Sequence, residues 1–225
     1  MTLKKLALFD LDHTLIPFDS DYSWGEFTVR LGWNEAAEFK RRNDAFYADY
    51  KASTLDIHAY CRFATTAVCR QGPEKSKAAH AEYMEKVVLP GIKPQALKLV
   101  QDHQAAGDTV VIITATNEFV TRPIAKAFGV DELLAIDLEV DSSTGWYTGA
   151  IRGIPSFREG KVIRLEAWMQ ERGLDWSQVH TTFYSDSIND VPLLEKANVA
   201  IATNPDERLR ALATQRQWRI LDLFA

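Results

Sequence analysis

Residues 6–15 read Leu-Ala-Leu-Phe-Asp-Leu-Asp-His-Thr-Leu, an apolar run that ends abruptly in two carboxylates and a hydroxyl. The apolar part is typical of a buried strand. Side chains two positions apart in an extended chain point to the same side, so Asp10, Asp12 and Thr14 are predicted to meet where the strand ends. Open α/β sheets bind their ligands at such strand ends. Two adjacent carboxylates with different surroundings suit a nucleophile and a general acid/base.

The same residues also have an ordinary structural interpretation. Asp12 could cap a turn and Thr14 could bond the backbone, because Asp and Thr commonly do so where strands end. The functional interpretation therefore depends on partners elsewhere in the chain.

The composition of the 225-residue chain narrows the classes of function. Its 31 acidic and 26 basic residues give a net charge of −5, which argues against nucleic acid as a partner, because neutralising phosphates needs a basic surface. Asp10 and Asp12 interrupt the first apolar run, so a secretory signal is not expected, and no run is long enough to span a bilayer. Cys61 and Cys69 lack zinc-site or disulfide spacing, which favours a reducing cytoplasm. No membrane partner is expected, and the oligomeric state stays open.

Two kinds of pattern divide the chain. After a first strand predicted at residues 3–9, apolar residues recur at helical spacing. The four predicted helices cover residues 22–31, 35–50, 55–70 and 73–88. We interpret residues 19–89 as an α-helical module inserted after the first strand.

From residue 90 onward, predicted strands and helices alternate. The strands are 109–113, 134–140, 146–151, 181–184, 199–202 and 219–223, and the helices are 94–106, 118–128, 160–172, 191–197 and 208–215. The segments 134–140 and 146–151 are expected to form a hairpin. The alternation predicts an α/β fold with a Rossmann-like three-layer core, in which a mostly parallel sheet is covered on both faces. This core is assigned to residues 1–18 and 90–225.

Three further polar groups fall at strand ends or helix starts of the alternating region. Thr114 follows an apolar strand, Lys161 begins a helix, and Asp186 and Asp190 follow another strand. Each has an ordinary explanation, since Thr and Asp cap helices and most lysines are exposed. Those explanations do not account for the order, in which an acid pair with a hydroxyl is followed by a hydroxyl, a lysine and a second acid pair.

This ordered set resembles the haloacid dehalogenase superfamily, in particular its phosphatase branch related to phosphoserine phosphatases. Its four motifs correspond here to Asp-x-Asp-x-Thr at residues 10–14, Thr114, Lys161, and the pair Asp186 and Asp190. The resemblance spans essentially the whole chain, and residues 19–89 are similar to the helical cap of that branch.

Two segments depart from the phosphoserine phosphatase pattern. Residues 115–117 read Ala-Thr-Asn instead of a glycine pair, and residues 185–190 read Ser-Asp-Ser-Ile-Asn-Asp instead of Gly-Asp-Gly-x-Asn-Asp. The sequence of residues 9–15 is more similar to that of a group of bacterial capped hydrolases, some of them described as histidinol-phosphatases.

The acids of such a site need a cation. Two unit charges about 4 Å apart repel by about 4 kcal/mol at an effective dielectric near 20, and one lysine cannot offset several such pairs. Oxygen ligands favour Mg²⁺. The resemblance implies that Asp10, Asp186 and the backbone carbonyl of Asp12 hold this ion, with Asp190 orienting the ligands around it.

The resemblance also implies a mechanism in two steps. Asp10 attacks phosphorus to give an aspartyl-phosphate, and Asp12 protonates the leaving alkoxide and later activates water. Thr114 and Lys161 hold the phosphoryl oxygens. The residues expected to bind substrate are Thr14, Asp19, Asp21, Ala115 and Asn189. The second acid separates this chemistry from the dehalogenases of the superfamily, because a halide needs no proton to leave.

The substrate is expected to be a small phosphomonoester bearing an amine. Asp19 stands nine positions after Asp10, where phosphoserine phosphatases carry an acid for the substrate amine, although helix capping explains Asp19 and Asp21 equally well. Histidinol phosphate and phosphoserine are both candidates. A carboxylate on the substrate could meet a cap arginine, and the candidates are Arg30, Arg41, Arg42 and Arg62. The alternatives are a phosphotransferase or phosphomutase with the same site, and a non-hydrolytic signalling switch that accepts phosphate.

Overall fold

The chain folds around a six-stranded parallel sheet, seen in a computed structural model that describes residues 3–225. Its strands, in chain order, are β1 Lys4–Phe9, β2 Thr109–Asn117, β3 Glu132–Ile136, β6 Val179–Ser185, β7 Val199–Thr203 and β8 Arg219–Leu221. They lie in the order β3-β2-β1-β6-β7-β8. A separate antiparallel hairpin joins β4 Leu138–Asp141 and β5 Trp146–Ile151.

Helices cover the sheet and fill the long segment after β1. They are α1 Ser20–Arg30, α2 Ala36–Ala52, α3 Ile57–Tyr83, α4 Leu89–Gly91, α5 Pro94–Ala105, α6 Glu118–Ala127, α7 Glu159–Gln170, α8 Val191–Lys196 and α9 Glu207–Arg216, with a π-helical turn over Met84–Val88. We call α1–α3, residues 20–83, the helical insertion. Among the helices of residues 3–225, none combines the length and the apolar character that a bilayer crossing requires.

Successive residues of β1 are buried in opposite directions, which produces the three layers. Ala7 and Phe9 belong to one apolar cluster with side chains of α1, α5 and α6, whereas Leu6 and Leu8 belong to another with side chains of α7, α8 and α9. This is the continuous apolar pattern of a strand buried on both faces. The predicted α/β fold with a mostly parallel, three-layer core is confirmed.

The helical insertion follows the predicted pattern. The two helices predicted over 55–70 and 73–88 are separated at Gly72, where the backbone inside α3 is not helical, and the end of the second is the π-helical turn Met84–Val88. Gly72 has a φ of 76°, a conformation that suits glycine, and Pro73 follows it. The boundaries 19 and 89 of a cap domain stay a prediction.

The strand predicted over residues 134–140 is wrong as one element. It divides at Asp137 into β3, which lies in the main sheet, and β4, which starts the hairpin with β5. The backbone carbonyl of Asp137 accepts from the Arg152 N–H at 2.9 Å, and its side chain pairs with Arg164 at 2.9 Å. These contacts turn the chain between two apolar stretches that read as one.

Sheet order and register place the first acid motif at the centre of the sheet. β1 lies between β2 and β6, and Phe9 is in register with Ile112 on one side and Tyr184 on the other. The carboxyl ends of these three strands therefore share one edge. β2 also runs to Asn117 rather than to residue 113, because its last residue pairs with Ile136 of β3.

Gly160, at the start of α7, is expected to be intolerant of a side chain. A Cβ atom there would lie 1.9 Å from the backbone oxygen of Pro155, so the chain would have to shift. We predict that Gly160→Ala lowers the free energy of unfolding by about 2 kcal/mol, measured by urea denaturation. Glu159→Ala, which changes the exposed neighbour, is the control and should shift it by less than about 0.5 kcal/mol. Equal effects in the two variants would contradict the steric explanation.

Candidate active site

A cavity of about 360 Å³ lies between the carboxyl edge of the sheet and the helical insertion. Asp10, Asp12, Thr114, Lys161 and Asp186 line it from the sheet side. Residues far apart in the sequence thus meet at one rim, as the order of the motifs predicted.

Lys161 is the link between two of the acids. Its ammonium donates to Asp10 at 2.9 Å and to Asp190 at 2.6 Å, and its side chain is only 2% exposed. Ser185 donates a second hydrogen bond to Asp190, at 2.7 Å. Burial acts to lower the pKa of Lys161, but the two carboxylates outweigh burial and raise that pKa. The lysine is therefore charged and paired, not an exposed surface lysine.

Asp186 faces the nucleophile candidate from β6. Burial, followed by the charges of Asp10 and Asp190, raises the pKa of Asp186 well above its usual value. Asp186 and Asp10 line the same cavity. Thr14 supports this acid twice, because its hydroxyl donates to Asp186 at 3.3 Å and accepts from the Asp186 N–H at 3.1 Å.

The donor set fits Mg²⁺. No three His, Cys, Asp or Glu side chains converge as a preformed metal site in the part of the chain that is described. Asp10 and Asp186 nevertheless bring two carboxylates together with an excess of negative charge, and Mg²⁺ characteristically takes one or two carboxylates and keeps several waters. Asp190 already accepts hydrogen bonds from Lys161 and Ser185. It therefore holds Lys161 in place beside these two carboxylates.

Asp12 has surroundings unlike those of Asp10. Its carboxylate accepts from the Ser20 N–H at 2.8 Å and from the Thr116 hydroxyl at 2.9 Å, and it has no cation partner among residues 3–225. Burial and the charge of Asp19 raise the pKa of Asp12 to about 6, partly offset by hydrogen bonds from Ser20 and Thr116. A carboxyl group with such a pKa can both release and accept a proton near neutral pH.

Neutral polar groups of the site come from the carboxyl-terminal part of β2 and from the segment after β6. Thr114 and Ala115 line the cavity, and the Thr114 backbone carbonyl is fixed by the Ser156 hydroxyl. Asn189 also lines it: its amide nitrogen donates to the Tyr50 carbonyl at 3.1 Å, while its amide oxygen is buried without a partner. A buried acceptor without a donor is suited to a ligand.

Comparison with known proteins identifies the family. Residues 7–195 match the model of haloacid dehalogenase-like hydrolases. The chain belongs to this family. A histidinol-phosphatase of Neisseria meningitidis serogroup C (strain 8013) is 41% identical over 221 residues, covering 98% of this chain and 99% of the relative. The resemblance inferred from the motifs is confirmed.

Solved structures show the same fold. A protein of unknown function from Bordetella pertussis Tohama I has a TM-score of 0.93 and 46% identity, covering 99% of this chain and 100% of that chain. The structure of a phospho-aspartyl intermediate analogue of phosphoserine phosphatase has a TM-score of 0.67 and 20% identity, covering 98% of this chain and 93% of that chain.

Some of the remaining predicted site residues of the hydrolase line the cavity, and others lie behind its wall. Asp19 caps α1, accepting from the Tyr22 N–H at 2.8 Å, and also lines the cavity; its contact with a substrate amine stays a prediction. Asp21 lies behind the cavity wall and accepts from the Asn117 amide at 3.3 Å. Thr14 and Asp190 lie behind the wall as well.

An aromatic wall is the main feature of the cavity that the motifs did not indicate. It consists of Tyr22, Phe46, Tyr47, Tyr50, Tyr60, Phe157 and Phe224. The residues at 46, 47 and 50 share one predicted helix, but helical spacing alone is equally typical of a packed core. None of the four candidate arginines of the insertion lines the cavity. Arg41 pairs with Glu38, and Arg42 lies over the ring of Phe63.

The buried acids are expected to destabilise the hydrolase above neutral pH. Burial and the charge of Asp19 raise the pKa of Asp21 to about 7, from 3.8. The folded state therefore binds the extra proton more tightly than the unfolded state, and stability falls as the pH rises through this interval. We predict that Asp21→Asn raises the free energy of unfolding by about 2 kcal/mol near pH 8, with a gain that shrinks toward pH 5.

Denaturation of both proteins across this pH range measures the effect. The control is Asp131→Asn at an exposed position, which should change stability by less than about 0.5 kcal/mol at any pH. A gain for Asp21→Asn that is independent of pH, or a loss near pH 8, would show that the charge of Asp21 is not the cause.

Proposed function

We propose that this protein is a Mg²⁺-dependent phosphomonoester hydrolase that works through an aspartyl-phosphate on Asp10. One observation carries the proposal: Asp10 and Asp12 line one cavity in different surroundings, next to Thr114 and Lys161. Asp10 is paired with an ammonium, whereas Asp12 has no cation partner in the described chain and burial raises its pKa to about 6. This division suits a nucleophile and a general acid/base.

In the first step, a carboxylate oxygen of Asp10 forms a bond to phosphorus and the bond from phosphorus to the substrate alkoxide breaks. Asp12 gives its proton to the departing oxygen. In the second step, Asp12 takes a proton from water, the water oxygen bonds to phosphorus, and the bond to Asp10 breaks. Inorganic phosphate and the free alcohol are the products, and both acids return to their starting states.

The other groups of the cavity hold the phosphoryl oxygens. Thr114 offers a hydroxyl and Lys161 an ammonium, and such donors act where charge accumulates in the transition state. Asp10, Asp186 and the carbonyl of Asp12 would hold Mg²⁺, which would neutralise charge on the phosphoryl group.

We propose an amine-bearing substrate, with histidinol phosphate ahead of phosphoserine. Asp19 offers a carboxylate to an amine, and the aromatic wall suits a flat ring. Two lysines line the cavity in the described chain: Lys161 would hold the phosphoryl group, and Lys51 lies over the Tyr47 ring at 4.4 Å. A substrate carboxylate would therefore lack a good partner. The name of the Neisseria relative agrees with this preference.

We also infer a cytoplasmic location, supported by the free thiols of Cys61 and Cys69.

Release of phosphate from a panel of esters with Mg²⁺ tests the substrate. We predict that kcat/KM for histidinol phosphate exceeds that for phosphoserine by at least about 100-fold, because an unpaired carboxylate among acids costs several kcal/mol. Chelation of Mg²⁺ should abolish release. A preference for phosphoserine would contradict the substrate assignment. Isomerised product or a long-lived phosphoprotein would favour the phosphomutase or the signalling switch.

Isosteric substitutions test the two acids. Asp10→Asn should reduce turnover to background, because an amide is not the required nucleophile. Asp12→Asn should lower kcat by about 10²–10⁴-fold, the usual contribution of general acid–base catalysis. Asp175→Asn, at an exposed turn, is the control, and circular dichroism verifies folding. An Asp10→Asn protein with near wild-type kcat would refute the mechanism.

A further inference from the structure

The two serines that replace family glycines both have partners in the structure. We call residues 186–190 the acid loop. The Ser185 hydroxyl donates to Asp190 at 2.7 Å and accepts from the Ser187 N–H at 3.1 Å. The Ser187 hydroxyl accepts from the Asn189 N–H at 3.2 Å. The hydroxyls of Ser185 and Ser187 therefore form hydrogen bonds to the acid loop and within it, at two positions where the family pattern has glycine.

The acid loop contacts one residue of the helical insertion twice. The hydroxyl of Tyr50, near the end of α2, lies 2.9 Å from the Ser187 hydroxyl. The backbone carbonyl of Tyr50 accepts from the Asn189 amide at 3.1 Å. Tyr50 is thus joined to Asp190 through the Ser187 side chain, the Ser187 backbone N–H and the Ser185 hydroxyl.

The end of α2 is held on the core by other groups as well. Arg208 donates to the Lys51 carbonyl at 2.6 Å, and Arg158 donates to the Ser53 carbonyl at 3.3 Å. Cations at a helix carboxyl end are favourable because they face its unpaired carbonyls. The insertion therefore stays seated without the Tyr50 hydroxyl, whose own partner is only Ser187 in the described chain.

We propose that Tyr50 is a positioning residue, whose hydroxyl acts through Ser187 and Ser185 to hold the acid loop, so that Asp190 keeps Lys161 directed at Asp10. The inference rests on the proposed function in taking Asp10 as the nucleophile. The series is complete only when α2 is seated, so the geometry of the acids follows the position of the insertion. Glycine at positions 185 and 187 would remove this link.

A double-mutant cycle tests the link, using Tyr50→Phe, Ser187→Ala and the double variant. Tyr50→Phe keeps the ring, the carbonyl contact to Asn189 and the packing against Phe157, and removes only the hydroxyl. We expect each single variant to lower kcat by about 3–10-fold, the value of one hydrogen bond between uncharged groups, with KM changed less than about twofold. The double variant should be no slower than the slower single variant.

Tyr147→Phe is the matched control. It removes a hydroxyl that lies outside the cavity and should leave kcat unchanged. Losses in kcat that multiply in the double variant would show that the two hydroxyls act independently and would overturn the proposal. A change in KM alone would overturn it too, since the hydroxyl would then serve binding.

Hydrogen exchange separates this inference from the proposed function. Without any substrate, Tyr50→Phe and Ser187→Ala should both speed amide exchange in residues 186–190 by about 3–10-fold, whereas Tyr147→Phe should not. If the wild-type protein releases no phosphate from any ester, the proposed function fails while this measurement still decides the link. Unchanged exchange in both variants would refute it.

Discussion

One buried ammonium makes the arrangement of acids at the sheet edge possible. Lys161 is the only lysine or arginine among the buried residues of the described chain, and it joins Asp10 to Asp190. A single positive charge does not offset Asp186 and Asp12 as well: burial first, and then the charges of neighbouring acids, raises the pKa of both. The proposed Mg²⁺ at Asp10 and Asp186 would balance the negative charge that Lys161 leaves uncompensated.

Asp10 and Asp12 have different surroundings, and this difference is the basis of their proposed roles as nucleophile and general acid/base. Asp10 and Asp12 leave the same strand two residues apart, yet one meets an ammonium and the other meets a helix start and a hydroxyl. The helical insertion provides part of that second environment through Ser20, and Asp19 precedes it. The same insertion supplies most of the aromatic wall and reaches the acid loop through Tyr50. The proposed nucleophile lies in the core, whereas the surroundings of the proposed general acid/base and the aromatic wall come from both parts.

Sequence patterns were sufficient for the features that depend on local periodicity and order. The apolar run before Asp10 and the alternation after residue 90 predicted the parallel sheet, and the order of polar groups at strand ends predicted which side chains meet. Features that depend on tertiary contact were not accessible. Residues 134–140 read as one strand because nothing local shows that Asp137 pairs with Arg164, and the depth of Asp21 behind the wall cannot be inferred from its place in a helix start. Tyr50 was missed because an aromatic residue at helical spacing is typical of packing, and its partner lies 137 positions away.

The central claim is that the carboxylate of Asp10 itself carries the phosphoryl group during turnover. Reduction of an acyl phosphate by borohydride converts the aspartate to homoserine, so rapid quenching of the working enzyme into borohydride, followed by peptide mass mapping, locates the phosphorylated residue. The account predicts homoserine at position 10, formed only when substrate and Mg²⁺ are both present. Aspartate unchanged at position 10 during steady phosphate release, or homoserine at position 12, 186 or 190 instead, would contradict it.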